Sequence, residues 1–222
     1  MSIVYAASGR YEKAVIATVV AILLDGLDGR VARRLKATSK FGVEFDSFAD
    51  LISFGLAPAF LMYEWCFKAM ADEFGVFICF VYVLCAASRL VRFNITEKSL
   101  SAFQGLPSPA AAAMMVSLVN IDPTFIVGKS TIAGLTVIVL VVAYLMVSNI
   151  EFLSIKQVKI NRYPLFVRLL LFAIIPFTWY MPRAVFVVIS ALFCLSGLAV
   201  FCLRRLQAGD SENSNEELKS QA

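Results

Sequence analysis

Long apolar runs alternate with short polar connections along most of the chain. Seven stretches, about 11–36, 42–67, 74–93, 108–122, 130–150, 164–181 and 183–205, have the length and apolarity of membrane helices. A hydrocarbon core needs about 20 apolar residues per helical span. The pattern therefore predicts an all-α, polytopic membrane helix bundle of about seven transmembrane helices, filling residues 1–206 as one membrane-embedded domain. From Gln207 to residue 222 the chain turns polar, with Asp210, Glu212, Glu216 and Glu217, and is expected to form a disordered cytoplasmic tail. The opening MSIVYAASGR lacks a basic segment followed by an apolar one and does not read as a signal peptide.

Composition agrees with this picture. Of 222 residues 60% are hydrophobic and 16% charged, against roughly 45–50% and about 25% in soluble domains, and the mean hydropathy is +0.80. An aqueous globule is excluded. Lys and Arg concentrate in alternate connections: Arg33, Arg34, Lys36 and Lys40; Arg92 and Lys98; Lys156, Lys159 and Arg162; Arg204 and Arg205. The intervening connections hold only Arg10, Lys13, Lys68, Lys129 and Arg183, so the first set is expected to face the cytoplasm. The net charge of +4 resides mostly in these loops and suits an anionic membrane surface, not nucleic acid. Cys66, Cys79, Cys85, Cys194 and Cys202 are odd in number and form no C-x-x-C pair, so they read as small buried or lipid-facing side chains. The chain has no histidine, which removes the commonest general base and nitrogen ligand. Any chemistry must run on carboxylates.

Those carboxylates are conspicuous. Asp25, Asp28, Asp46 and Asp50 lie on or near the first two apolar runs. Each costs about 2.5–3.5 kcal/mol on insertion scales, so four without compensation would cost on the order of 10 kcal/mol. At 100° per residue, Asp25, Asp28, Gly29 and Ala32 share an arc of about 100° with Arg33 at its edge. On the next helix Gly42, Asp46, Asp50 and Ser53 form a second narrow stripe. Facing pairs of hard oxygen ligands flanked by small residues suit Mg²⁺ or Mn²⁺, and four are enough for two ions about 4 Å apart. The small residues would let a pyrophosphate approach. Any one aspartate alone fits a juxtamembrane charge network with Arg30, Arg33, Arg34 or Lys40; the four together fit a metal cleft better.

Written out, the stretch is Asp25-x2-Asp28-Gly29-x2-Ala32-Arg33-x8-Gly42-x3-Asp46-x3-Asp50. It resembles the signature of the CDP-alcohol phosphotransferases, membrane enzymes that transfer a substituted phosphate from a CDP-linked donor to an alcohol. FGVEFDSFADLISFGLAPAF, ASRLVRFN and FQGLPSPAAAA are similar to the phosphatidylserine synthase branch of that family, whose donor is CDP-diacylglycerol and whose acceptor is L-serine. The resemblance implies that Asp25, Asp28, Asp46 and Asp50 hold two metal ions on the donor pyrophosphate. It places Gly29, Ala32, Arg33 and Gly42 around the cytidine and phosphates and makes Asp50 the general base. Ser53, on the second stripe, joins the expected substrate-binding set. A serine hydroxyl needs such a base, and a carboxylate is the group available.

An acceptor also needs a cation. Arg89 and Arg92, i and i+3 near one end of the third helix, are candidates, with Asn94 and Ser108 as hydrogen-bonding partners. Arg168 is expected to snorkel to headgroups. The family further implies a homodimer in the inner membrane with its site open to the cytoplasm. It also implies a helix before the motif-bearing one; IVYAASGRYEKA resembles the end of that helix and the following external loop, which would make eight helices instead of seven. Two other readings are a relative acting on glycerol phosphate or inositol phosphate, which would demand a denser basic pocket, and a divalent-cation transporter, which would spread polar groups over more helices.

Overall fold

The computed structural model describes residues 1–35, 39–70, 73–96, 105–123, 128–148, 150 and 188, and among them every regular element is helical. The order is α1 (Ser2–Ala7), α2 (Tyr11–Leu35), α3 (Lys40–Asp50), a π turn (Leu51–Leu56), α4 (Ala57–Trp65), a short 3₁₀ turn (Phe67–Met70), α5 (Phe74–Thr96), α6 (Ser108–Ile121) and α7 (Lys129–Val147). Glu44–Trp65, Phe74–Ile95 and Ser130–Val147 are long and apolar enough to cross a bilayer, and Ser108–Ile121 is apolar but shorter. The 25-residue α2 would reach about 37 Å at 1.5 Å per residue, but its second half carries Asp25, Asp28 and the arginines. Five of the seven expected helices are thus in place. The segments 164–181 and 183–205, the tail 207–222, Lys98, Lys156, Lys159, Arg162, Arg168, Arg204, Arg205, Cys194 and Cys202 lie outside the described residues.

Local chemistry sets the helix limits. Ser39 caps α3 by accepting the Gly42 N–H at 3.0 Å. Pro109 sits in the first turn of α6, where a missing N–H is tolerated, and Pro58 directly follows the π turn. At Gly9 a positive φ of 68° lets α1 turn back along α2, where the buried Ser2 hydroxyl donates to Ala14 O at 3.0 Å and lies 2.8 Å from Thr18 Oγ1. Small buried residues, among them Ala6, Ala14, Ala59, Ala86, Ala111 and Ala143, bring helices close, and Phe54, Leu61, Met62, Ile78, Tyr82, Met115 and Met146 fill the space between. On α5, Phe77, Phe80, Leu84 and Val91 form an outward apolar stripe suited to lipid.

The carbonyls at the end of α7 are accounted for nearly one by one. Ser148 N–H reaches Tyr144 O at 2.9 Å, Leu106 N–H reaches Leu145 O at 3.0 Å, and Arg92 Nη1 on α5 reaches Val147 O at 2.8 Å. Beside them Gly105 donates to Ile150 O at 2.9 Å. Gly105 has φ +80°, and a Cβ there would run into the Met146 carbonyl and sit 3.2 Å from that of Ser148. Glycine is therefore required for the turn that starts α6. Gly105→Ala is expected to destabilise the protein by about 2 kcal/mol or more, whereas Gly128→Ala, with nothing within 4 Å of the added methyl, should leave thermal melting in detergent nearly unchanged.

Candidate active site

The two acidic stripes meet. Carboxylate oxygens of Asp25 and Asp28 on α2 and Asp46 on α3 all lie within 4.8 Å of one another. Asp50, at the end of α3, is in hydrogen-bonding contact with Asp25. Asp28 and Asp46 are exposed while Asp25 and Asp50 are half-buried, so the group runs from an open mouth inward. Unit charges at such separations repel by a few kcal/mol per pair at an effective dielectric of about 20, before solvent screening. Such a cluster calls for a counter-charge. An all-oxygen donor set of this kind fits a hard divalent cation such as Mg²⁺ or Mn²⁺.

Beyond Asp50 the site continues onto α5 and α6. The half-buried Arg89 is close enough to Asp50 for their charges to interact, and its Nη1 donates to the Oγ of Ser108, which is fully buried at the start of α6. Arg89 Nε is buried without a hydrogen-bond partner. Arg92, three residues on, donates to the Val147 carbonyl on α7, so the two arginines engage different neighbours. Asn94 Nδ2 donates to Ser47 Oγ at 3.0 Å, tying α5 to the acidic helix beside Asp46. Ser53 lines a small cleft with Ala17, Thr18 and Ala21, one to two turns along α2 from Asp25. Gly29, Ala32 and Arg33 follow Asp28 within α2, and the exposed Gly42 lies in the first turn of α3.

Apolar patterning does not announce the π turn at Leu51–Leu56, directly after Asp50, nor the role of Tyr82, whose hydroxyl donates to Phe54 O at 3.0 Å. The available signal was Pro58 within an unbroken apolar run: it has no N–H for the carbonyl four residues earlier, that of Phe54.

Helices that converge in apolar surroundings on a half-open carboxylate cluster, with an arginine behind it, define an integral membrane protein with an acidic centre of a kind that could hold a cation. The chain belongs to the CDP-alcohol phosphatidyltransferase family, whose sequence profile matches residues 1–147. It is 42% identical over 176 residues, 78% of this chain and 73% of the relative, to CDP-diacylglycerol–serine O-phosphatidyltransferase of Helicobacter pylori strain 26695. The Bacillus subtilis protein of the same name is 36% identical over 146 residues, 66% of this chain and 77% of its own. Archaetidylserine synthase of Methanothermobacter thermautotrophicus is 35% identical over 156 residues, 68% and 63% of the two chains.

The buried and exposed polar contacts should differ in weight. Ser108→Ala removes the acceptor of a buried guanidinium and is expected to cost about 1–3 kcal/mol. Asn94→Ala, at an exposed position, should stay within about 0.5 kcal/mol. Thermal melts of the two variants in one detergent compare them directly.

Proposed function

We propose that this chain transfers the phosphatidyl group of CDP-diacylglycerol to L-serine, giving phosphatidylserine and CMP. The observation that carries the reading is the single line of groups from Asp28 and Asp46, through Asp25 and Asp50, to Arg89. The activities for which the relatives are named support the same donor and acceptor. Two Mg²⁺ or Mn²⁺ ions held by Asp25, Asp28, Asp46 and Asp50 would supply Lewis-acid stabilisation of charge on the pyrophosphate and the departing CMP.

The chain's own groups divide the remaining work. Gly29, Ala32, Arg33 and Gly42 flank the nucleotide, the small residues leaving room and the arginine supplying charge. Ser53 and Asn94 border the substrates. Asp50 takes the proton of the serine hydroxyl as its oxygen bonds to the phosphatidyl phosphorus; the bond from that phosphorus to CMP breaks, and CMP leaves with the electron pair. Arg89, held by Ser108, offers its unpartnered Nε to the serine carboxylate. Arg92 contributes by setting α5 against α7. Among the described residues Arg89 is the basic side chain beside Asp50, and one guanidinium suits a small zwitterion better than an acceptor bearing its own phosphate. The protein works as a homodimer in the inner membrane among its lipid substrates, with residues 1–206 as the membrane domain, residues 207–222 as a tail and the cleft open to the cytoplasm, as the distribution of Lys and Arg supports.

Purified protein in detergent with CDP-diacylglycerol, labelled serine and Mn²⁺ or Mg²⁺ should release CMP and form labelled phosphatidylserine, and EDTA should stop it. Glycerol phosphate or inositol phosphate in place of serine should give no product; turnover with either would reassign the acceptor. Asp50→Asn should lower kcat by about 10²–10⁴-fold with the helical circular dichroism intact. Retained turnover would remove Asp50 from the base role.

A further inference from the structure

Asp46 and Asp50 lie against Asp25 and Asp28 of α2, while Ala57 and Leu61 are buried, Ala57 lining a cleft with Ala17, Thr18 and Ala21. In an unbroken α-helix Ala57 and Leu61 would continue the acidic stripe. At 100° per residue, Ala57 and Leu61 fall within about 20° of Asp50 on the helical wheel. A π turn holds one more residue than an α turn and so rotates the helix beyond it by about 100°. Leu51–Leu56 is such a turn, with Ala57 N–H donating to Ile52 O, five residues back. It separates the acidic face of α3 from the apolar face of α4.

The groups that hold this turn are visible around it. Pro58 cannot donate to Phe54 O, and the Tyr82 hydroxyl, on a fully buried side chain of α5, reaches that carbonyl at 3.0 Å. Gly55 lets the turn approach α5, since a Cβ there would lie 3.3 Å from Ala86 Cβ. Further along α5 is Arg89, beside Asp50. We propose that Tyr82 is a positioning residue for the acidic site: by taking the Phe54 carbonyl that Pro58 leaves, it keeps the π turn that aims Asp46 and Asp50 at Asp25 and Asp28. The inference rests on reading the four aspartates as a metal site.

The test is Mn²⁺ titration of purified protein, followed by the electron paramagnetic resonance of free Mn²⁺, together with melting in EDTA. Tyr82→Phe keeps the ring and deletes the hydroxyl. It should lower the metal-free melting temperature and weaken Mn²⁺ binding by about tenfold or more, as expected for loss of a group that orients ligands. Adding Pro58→Ala supplies an N–H for Phe54 O in α register. The double variant should regain the melting temperature and not the Mn²⁺ affinity, a split that a merely structural role would not produce. Wild-type affinity in Tyr82→Phe, or joint recovery of both properties in the double variant, overturns the inference. If Tyr82→Phe does not fold, the double variant carries the test, and wild-type affinity there overturns it. Asp46→Asn is the separate control: if it binds Mn²⁺ as tightly as the wild type, the metal reading fails, whatever Tyr82 does.

Discussion

Mutual repulsion among four aspartates is the constraint around which the described part of this protein is organised. Asp25, Asp28 and Asp46 place oxygens within 4.8 Å of one another and Asp50 adjoins Asp25, in helices whose remaining surface is largely apolar. No such cluster gathers by its own preference. Packing elsewhere must hold it together, and a counter-charge would relieve it once assembled. The two requirements differ in kind: the first is met by helix geometry, the second by charge, of which Arg89 beside Asp50 supplies part.

Helix geometry in a membrane is constrained by the backbone, because hydrocarbon offers no partner for an unpaired carbonyl. Two of the places where the described chain departs from regular α-helix lie near the acidic site, and at both carbonyls are met by specific donors. At the π turn, Tyr82 meets the Phe54 carbonyl. At the end of α7, Ser148, Leu106 and Arg92 meet the carbonyls of Tyr144, Leu145 and Val147. The first departure sits directly after Asp50; the second fixes the turn that presents Ser108 to Arg89. At these two places irregular backbone positions a polar group.

These departures mark the limit of what could be read from the sequence. Helix positions followed from runs of apolar residues, because burial against lipid leaves a one-dimensional trace. The convergence of Asp25 and Asp28 with Asp46 and Asp50 followed from spacing, because each pair lies on uninterrupted α-helix where 100° per residue holds. The same arithmetic puts Ser53 on the acidic stripe, yet Ser53 comes after the start of the π turn, so the arithmetic no longer applies; it lines a cleft with Thr18 and Ala21. Arg89 and Arg92 looked equivalent at i and i+3. They part company because α7, distant in sequence, ends beside Arg92 and presents a carbonyl to it. Neither outcome has a local signature, and only Pro58 hinted at the first.

The support for the acidic helix runs through α5. Along its length Cys79 donates to Ala59 O at 3.3 Å, Tyr82 to Phe54 O and Asn94 to Ser47 Oγ, partners that ascend the antiparallel helix toward Asp46. Its packing against α7 is the most extensive between any two described helices, and Arg92 pins the two together at the end nearest the site. A helix so anchored on one side acts as a template for the other, setting both rotation and height of Asp46 and Asp50 relative to α2. Charge alone would make Arg92 a substrate ligand; its Nη1 bond to a helix-terminal carbonyl also ties it to the frame. Geometry at the carboxylates is therefore a property of four helices, although their oxygens come from two.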